Sequence, residues 1–212
     1  MKRLALVVGL LSFLTPPATA QNRSGDFDFY VLTLSWSPSY CATEGAHTDR
    51  YQCSGRRPYA FIVHGLWPQY ERGYPEFCDR SAPRVPQRLI DSMLDLMPNP
   101  GLVIHQWRKH GTCSGRNARD YFAEVRKARQ TVSIPPQYVD PVEWRMVSPG
   151  EVEAAFRSVN PGLPAEAIAV TCDSRHLREV RICLTEDFEF RACPEIDRRG
   201  CRTGRVAMPP AR

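Results

Sequence analysis

The sequence lacks an apolar run long enough to cross a bilayer. The N-terminal run Leu4–Leu14 falls short of the roughly 18 apolar residues that a membrane-spanning helix requires, and no later stretch approaches that length. There is no internal repeat and no long linker, which excludes a repeat architecture. The chain after residue 20 has the length of one large domain, and a hydrophobic content of 42% is sufficient for a sizeable core.

The sequence also lacks any Cys-x2-Cys pair, although it contains eight cysteines. This absence argues against the common zinc sites, which use such pairs as ligands. All eight cysteines follow residue 20, and their number fits four disulfides formed in an oxidising compartment. Eight cysteines allow roughly a hundred connectivities, so the sequence alone does not choose one.

Basic residues are only slightly more numerous than acidic ones, 28 against 23. The formal net charge is +5 at pH 7, and two of the basic residues, Lys2 and Arg3, lie at the very start of the chain. A mild basic excess is compatible with a polyanionic substrate, but an ordinary soluble surface has the same character.

The first 20 residues have the pattern of a secretory signal peptide. Lys2 and Arg3 precede the apolar run Leu4–Leu14, and the segment ends in Ala18–Ala20, small residues after which a signal peptidase cleaves. We therefore expect an exported protein, periplasmic or extracellular, whose mature chain begins at Gln21.

Three of the five histidines lie in two short motifs, Phe61–Pro68 and Leu102–Cys113. The first motif predicts a buried strand that carries His64 and ends at Pro68, because proline interrupts a strand. The second motif predicts a helix from Leu102 to His110, with polar side chains within an arc of about 140° and apolar side chains on the opposite side. The polar side chains are His105, Gln106, Lys109 and His110, and the apolar ones are Val103, Ile104 and Trp107.

A metal site is the first alternative for these histidines. Helices that bind zinc place two histidines four residues apart, whereas His105 and His110 are five apart and diverge by roughly 140°. The motif contains no Asp or Glu that would complete a ligand set. We therefore expect catalysis without a metal and without any other cofactor.

The two motifs together resemble the paired active-site segments of the ribonuclease T2 family, secreted endoribonucleases that cut RNA without a metal. The match covers His64–Pro68 completely and Lys109–Cys113 as well, with His105 and Trp107 at the family spacing. One position departs from the family pattern, because the family has Glu directly after the first histidine of the second motif and this chain has Gln106.

The resemblance implies a role for each group of the catalytic set. His110 would be the general base and His64 the general acid of the first step, and the two would exchange roles when water opens a 2′,3′-cyclic phosphate. Lys109 would stabilise the extra charge on the phosphate oxygens, although a solvated helix lysine is the ordinary alternative. Gln106 can donate a hydrogen bond but cannot exchange a proton as glutamate can.

Four further residues are expected to bind substrate. His105 would bind phosphate in the ground state, and its alternative is a histidine that only hydrogen-bonds its neighbours. By resemblance Trp67 lines the first base site; Tyr74 is a second stacking candidate, and the amide of Gln69 can bond a base edge. Each aromatic could instead belong to the core. We expect RNA as the partner, no membrane association and a monomer.

The resemblance also implies a disulfide pairing. Cys113 would tie the end of the catalytic helix to the segment that follows the His64 motif, which would keep the two halves of the site in register. The four implied bonds are Cys41–Cys53, Cys78–Cys113, Cys172–Cys201 and Cys183–Cys193.

The remaining patterns predict an α+β fold of one domain over residues 21–201, with a central, mainly antiparallel sheet flanked by helices and braced by disulfides. The residues Arg202–Arg212 read as a disordered basic tail. Strands are predicted over Phe27–Trp36, Ala167–Cys172 and Val180–Cys193, and helices over Pro86–Met97, Asn117–Gln130 and Ser148–Val159, the last opened by a capping box.

Two functions follow. The leading one is a secreted endoribonuclease that forms cyclic phosphates. The alternative, motivated by Gln106, is a catalytically weakened family member that acts as an RNA- or protein-binding module. Retention of His64, Lys109 and His110 argues against the alternative.

Overall fold

The computed structural model describes residues 22–45, 49–53 and 58–211. The expected signal peptide and its cleavage site before Gln21 lie outside the described residues. Within these ranges no helix combines the length and the apolar character needed to cross a membrane.

Six strands and six α-helices occur in the described residues. The strands are β1 (Phe29–Trp36), β2 (Phe61–Gln69), β3 (Arg145–Val147), β4 (Ile168–Cys172), β5 (Leu177–Leu184) and β6 (Val206–Met208). The helices are α1 (Ser37–Thr43), α2 (Gln87–Asp91), α3 (Pro100–Lys109), α4 (Ala118–Thr131), α5 (Pro149–Val159) and α6 (Pro194–Arg198).

A four-stranded antiparallel sheet forms the centre of the fold, in the order β2-β1-β5-β4. Its central strand β1 is aromatic and β-branched, as the sequence predicted, and Trp36 at its end is fully buried. A second, two-stranded antiparallel sheet pairs β3 with β6. The predicted α+β fold with an antiparallel sheet is confirmed.

The two faces of the large sheet differ in chemistry. Because side chains alternate along a strand and directly paired residues share a face, one face collects the main core, including Leu32, Leu66 and Ile182. At one end the opposite face carries a small apolar cluster around Val31 and Cys183. Further along, that face is polar, and it is here that the candidate site lies.

Helix boundaries follow local signals. The Ser148 hydroxyl accepts a bond from the Glu151 N–H, and the Glu151 carboxylate accepts one from the Ser148 N–H, so the predicted capping box is confirmed. Asn99 caps α3 by accepting from the Gly101 N–H, and Pro100 occupies the first turn.

Two predicted elements are shorter than the sequence suggested. The helix predicted over Pro86–Met97 ends at Asp91. Beyond it the chain continues in turns, in which most backbone N–H groups donate to the carbonyl three residues earlier and not four, as they would in an α-helix. The strand predicted over Val180–Cys193 begins at Leu177 and ends at Leu184, where the chain turns back through Phe188, at a φ of 71°, and bridges again at Phe190.

The prediction of a disordered tail is wrong. Val206 and Met208 are buried in β6, and the Trp36 indole N–H donates to the carbonyl of Pro209 at 3.1 Å. The period-two apolar pattern of this segment matches a strand with one side packed on the core, so this segment is part of the fold.

All four disulfides form as the resemblance implied. The bonds are Cys41–Cys53, Cys78–Cys113, Cys172–Cys201 and Cys183–Cys193.

Candidate active site

His64 is the extra residue of a β-bulge. Thr33 pairs with Gly65 and Leu34 pairs with Val63, so His64 has no partner of its own on β1. Val63 and Leu66 both lie in the core, although they are three residues apart and would take opposite faces in a regular strand. The bulge lets two consecutive residues, His64 and Gly65, stay on the open face, which is how the imidazole reaches the site.

The end of α3 supplies the second half of the site. Val103 and Trp107 are buried, as the helical pattern predicted, whereas Ile104 is 36% exposed and does not pack as predicted. His110 follows the last helical residue, and its N–H still donates to the Gln106 carbonyl at 3.0 Å. Gln106 and His110 are both buried on the side that faces the sheet.

A short segment after β2 closes over this helix end. The Cys78–Cys113 disulfide anchors it, and the Phe77 N–H donates to the Lys109 carbonyl at 2.8 Å. As a result the Lys109 ammonium lies 3.5 Å from a carboxylate oxygen of Glu76 and 5.9 Å from the centre of the Tyr74 ring. The expected register between the two halves of the site is therefore present.

All eight residues singled out from the sequence line one cavity of about 360 Å³. Sequence reasoning missed the other three residues that line it, Arg181, Ile196 and Arg199. The eight are His64, Trp67, Gln69, Tyr74, His105, Gln106, Lys109 and His110.

Trp67 is held by its neighbours on several sides. Its indole N–H donates to Oε1 of Gln106 at 2.8 Å, and its ring stacks on His110 at 5.1 Å between centroids. The guanidinium of Arg181 lies 5.3 Å from the ring centre. A Cβ at Gly65 would collide with the Gln106 amide and the Trp67 indole nitrogen, so glycine is needed where these side chains meet.

These contacts refine the expected base-binding residues. Much of the Trp67 ring is already in contact with protein, whereas Tyr74 is 43% exposed and keeps an open aromatic face. The amide nitrogen of Gln69 donates to the Pro68 carbonyl at 3.0 Å, and the side chain is buried.

The environment of His110 favours its neutral form. Burial lowers the pKa of this imidazole well below its ordinary value, and the positive charges of Lys109, His64 and His105 lower it further. Among the described residues its Nδ1 has no hydrogen-bond partner. Burial and the charges of Lys109 and His64 also lower the pKa of His105.

Glu179 contacts His64, and sequence reasoning missed it. One carboxylate oxygen lies 2.6 Å from His64 Nδ1, and Arg181 donates two hydrogen bonds to the other, at 2.8 and 3.0 Å. Burial alone would raise the pKa of Glu179, but the hydrogen bond and charges of His64 and Arg181 outweigh it and lower that pKa to about 2. The signal in the sequence was the spacing of Glu179 and Arg181, two opposite charges on the same face of a strand that also carries Arg178.

No three or more Cys, His, Asp or Glu side chains are grouped so as to hold a metal ion in the part of the chain that the structure describes.

Residues 27–193 match the model of the Ribonuclease T2 family. The chain belongs to the ribonuclease T2 family. A ribonuclease of Aeromonas hydrophila is 33% identical over 205 residues, which cover 88% of this chain and 86% of the relative. Ribonuclease DdI of Dictyostelium discoideum is 29% identical over 232 residues, which cover 96% of this chain and 98% of the relative.

Solved structures agree with this membership. RNase NT, solved in complex with 5′-AMP, superimposes with a TM-score of 0.70 at 26% identity, over 87% of this chain and 99% of its own. Trichomaglin, described as an S-like ribonuclease, has the same fold, with a TM-score of 0.70 at 21% identity over 88% of this chain and 100% of its own. The family resemblance read from the two motifs is confirmed, and the protein is a ribonuclease.

Proposed function

We propose that this ribonuclease is a metal-independent endonuclease that cleaves single-stranded RNA through a 2′,3′-cyclic phosphate. The observation that carries the proposal is the pair of imidazoles in one cavity, with Lys109 beside them. His110 is buried and its surroundings favour the neutral imidazole, which is the form that a general base needs. His64 lies on the facing strand and is partly exposed to the cavity.

In the first step the neutral imidazole of His110 takes the proton of the ribose 2′-hydroxyl. The 2′-oxygen then forms a bond to phosphorus, the bond from phosphorus to the 5′-oxygen breaks, and protonated His64 gives its proton to the leaving oxygen. Positioned acid and base groups are each worth about 10²–10⁴-fold in rate. In the second step water opens the cyclic phosphate, and the two histidines exchange roles.

Cationic and amide groups stabilise the charge that develops on the phosphate oxygens. Lys109 supplies a fixed charge within the cavity, and His105 stands exposed at its edge to bind the phosphate before reaction. Because the indole of Trp67 is a donor only, it occupies Oε1 of Gln106 and leaves the amide nitrogen as the end that can donate to phosphate. Gln106 then contributes a hydrogen bond without exchanging a proton.

The nucleobase next to the attacked phosphate would bind against Tyr74 and the open part of Trp67. Both rings line the cavity, and stacking on aromatic faces is the usual way in which proteins hold unpaired bases. The bound 5′-AMP of RNase NT supports a nucleotide site in this fold.

We also propose that the chain is exported, that its signal peptide is removed before Gln21, and that the mature protein acts as a monomer. The four disulfides support an oxidising compartment. Intact-mass analysis of the exported protein tests the cleavage site, and sedimentation at several concentrations tests the monomer.

The test of the reaction is digestion of RNA, and of DNA of the same sequence, by oxidised protein in excess chelator. RNA should be cut and DNA should survive, because the proposed nucleophile is the 2′-hydroxyl. Loss of activity on chelation that a divalent ion restores would contradict the metal-free mechanism. RNA that is bound but not cut would instead favour the weakened binding module suggested by Gln106.

A further inference from the structure

We propose that Glu179 is a positioning residue for the general acid: it holds His64 in the tautomer and orientation that deliver a proton from Nε2, with Arg181 fixing the carboxylate. This inference rests on the proposed function, because it assigns a partner to the acid of that mechanism.

The hydrogen bond between the two side chains determines the tautomer. Glu179 is ionised at neutral pH, because the hydrogen bond and charges of His64 and Arg181 lower its pKa, and an ionised carboxylate can only accept. The proton at the 2.6 Å contact therefore belongs to Nδ1 of His64. The remaining ring nitrogen, Nε2, is the one left to carry and release the catalytic proton.

Arg181 keeps the carboxylate from turning away. It donates through two nitrogens to the oxygen of Glu179 that His64 does not use, and it also lies over the ring of Trp67. The register explains why the three meet: Glu179 and Arg181 pair with Ser35 and Thr33 of β1, and Thr33 pairs on its other side with Gly65, next to His64. A buried carboxylate with both oxygens occupied and a fixed cation behind it is a rigid support.

Other charged groups face the pair from several elements, and most are already balanced. Glu179 and His64 both line a second cavity of about 360 Å³, where Arg178 pairs with Glu44 and Asp173, and Asp49 accepts hydrogen bonds from two backbone amides and Asn99. The charged or titratable groups that share the first cavity with His64 are His105, Lys109 and His110 of the α3 region, together with Arg181 and Arg199. Of these, Arg181 contacts Glu179 directly.

An ordinary structural role makes a different prediction from a positioning role. If Glu179 only neutralises Arg181 in the sheet, its loss should affect all substrates alike. If it acts through the acid, its loss should matter only when the leaving group needs a proton. A dinucleoside phosphate has an alkoxide leaving group that needs one, whereas a nucleoside 3′-(4-nitrophenyl phosphate) has a phenolate that leaves without one.

The experiment compares kcat/KM on these two substrates for wild type, Glu179→Gln, Glu179→Asp and His64→Ala. Glutamine keeps the shape but removes the charge, and the dinucleotide rate should fall by about 10- to 100-fold, by analogy with the loss of a hydrogen-bonded partner of a metal-binding histidine. The aryl ester should be cut at close to the wild-type rate. Aspartate should restore part of the dinucleotide rate.

The ratio of the two rates within one variant does not depend on how much of the sample is folded, so a destabilised variant still gives an answer. Glu124→Gln is the matched control: its carboxylate is 17% exposed, against 13% for Glu179, and pairs with Arg116, but it lines neither cavity. It should leave the ratio unchanged.

The outcomes distinguish a failure of the positioning role of Glu179 from a failure of the proposed mechanism. The positioning role is overturned if His64→Ala shows the selective loss while Glu179→Gln either lowers kcat/KM equally on both substrates or leaves it unchanged on both. The proposed mechanism then stands. If His64→Ala itself keeps its rate on the dinucleotide, the mechanism fails at its acid.

Discussion

The indole nitrogen of Trp67 and the amide oxygen of Gln106 are 2.8 Å apart, and this hydrogen bond joins β2 to α3 inside the cavity. It gives Gln106 a structural task besides any contact with phosphate. A glutamate in its place would also accept from the indole, so the exchange tests the charge at this position without breaking the bond.

We predict that Gln106→Glu raises turnover and shifts the pH profile. The new carboxylate would be buried beside His110, where it can exchange a proton with a phosphate oxygen and favour the charged imidazole. The measurement is the pH dependence of dinucleotide cleavage for both proteins. Gln106→Leu is the control that loses the Trp67 acceptor, and it should be slower than wild type. A glutamate variant no faster at any pH would mean that glutamine is the adapted residue here.

His64→Ala and His110→Ala should each lower kcat by about 10²–10⁴-fold while the fold stays intact. Circular dichroism and thermal unfolding check the fold, and steady-state kinetics on a dinucleotide measure the loss. Near-full activity in a folded variant of either histidine would remove it from the mechanism.

The burial of His110 predicts a pH dependence of stability. Its pKa is lower in the folded chain than the ordinary value of 6.5 that it regains on unfolding. The unfolded state therefore binds more protons below that value, and the free energy of unfolding should fall as pH drops below about 6.5. Urea unfolding of wild type and His110→Gln between pH 7 and pH 5 measures the difference. If the free energy of unfolding depends on pH equally in the two proteins, His110 is not the group responsible.

His105→Ala should raise KM and change kcat little, because this histidine is exposed at the cavity edge and is proposed to bind phosphate before reaction. Initial rates over a range of dinucleotide concentrations separate the two constants. A large loss of kcat at unchanged KM would instead place His105 in the chemical step.

Replacing both Cys78 and Cys113 by alanine should lower stability by about 2–4 kcal/mol and also raise KM. The bond closes a loop with a sequence separation of 35, and it anchors the segment that carries Tyr74. The control is removal of Cys172–Cys201, with a separation of 29, which should cost similar stability and leave KM unchanged. Equal KM values in both variants would show that the anchor does not shape the site.

The features that could be predicted from the sequence are those with a local cause. The aromatic strand β1, the amphipathic helix α4 and the capping box at Ser148 depend on neighbours in the chain, and each formed as expected. The motifs that carry His64 and His110 also contain six of the side chains that line the cavity.

The features that were missed depend on pairing between distant segments. The bulge at His64 exists only in register with β1, and the contact of Glu179 with His64 requires β5 to lie on the other side of β1. The last strand, β6, was read as a tail because its three residues are stable only when paired with β3 and packed on the core. No local pattern reports such long-range pairing.

The central claim is that the 2′-hydroxyl attacks the phosphorus, and one oligonucleotide tests it directly. Wild-type protein in excess chelator is given an RNA in which one of several cleavable bonds follows a 2′-deoxy sugar and, in a parallel reaction, the all-ribose strand. We predict that this bond alone survives, while the same bond in the all-ribose strand yields a 2′,3′-cyclic phosphate and a free 5′-hydroxyl. Cleavage at the deoxy position at a comparable rate would contradict the account, because the nucleophile would then be another group.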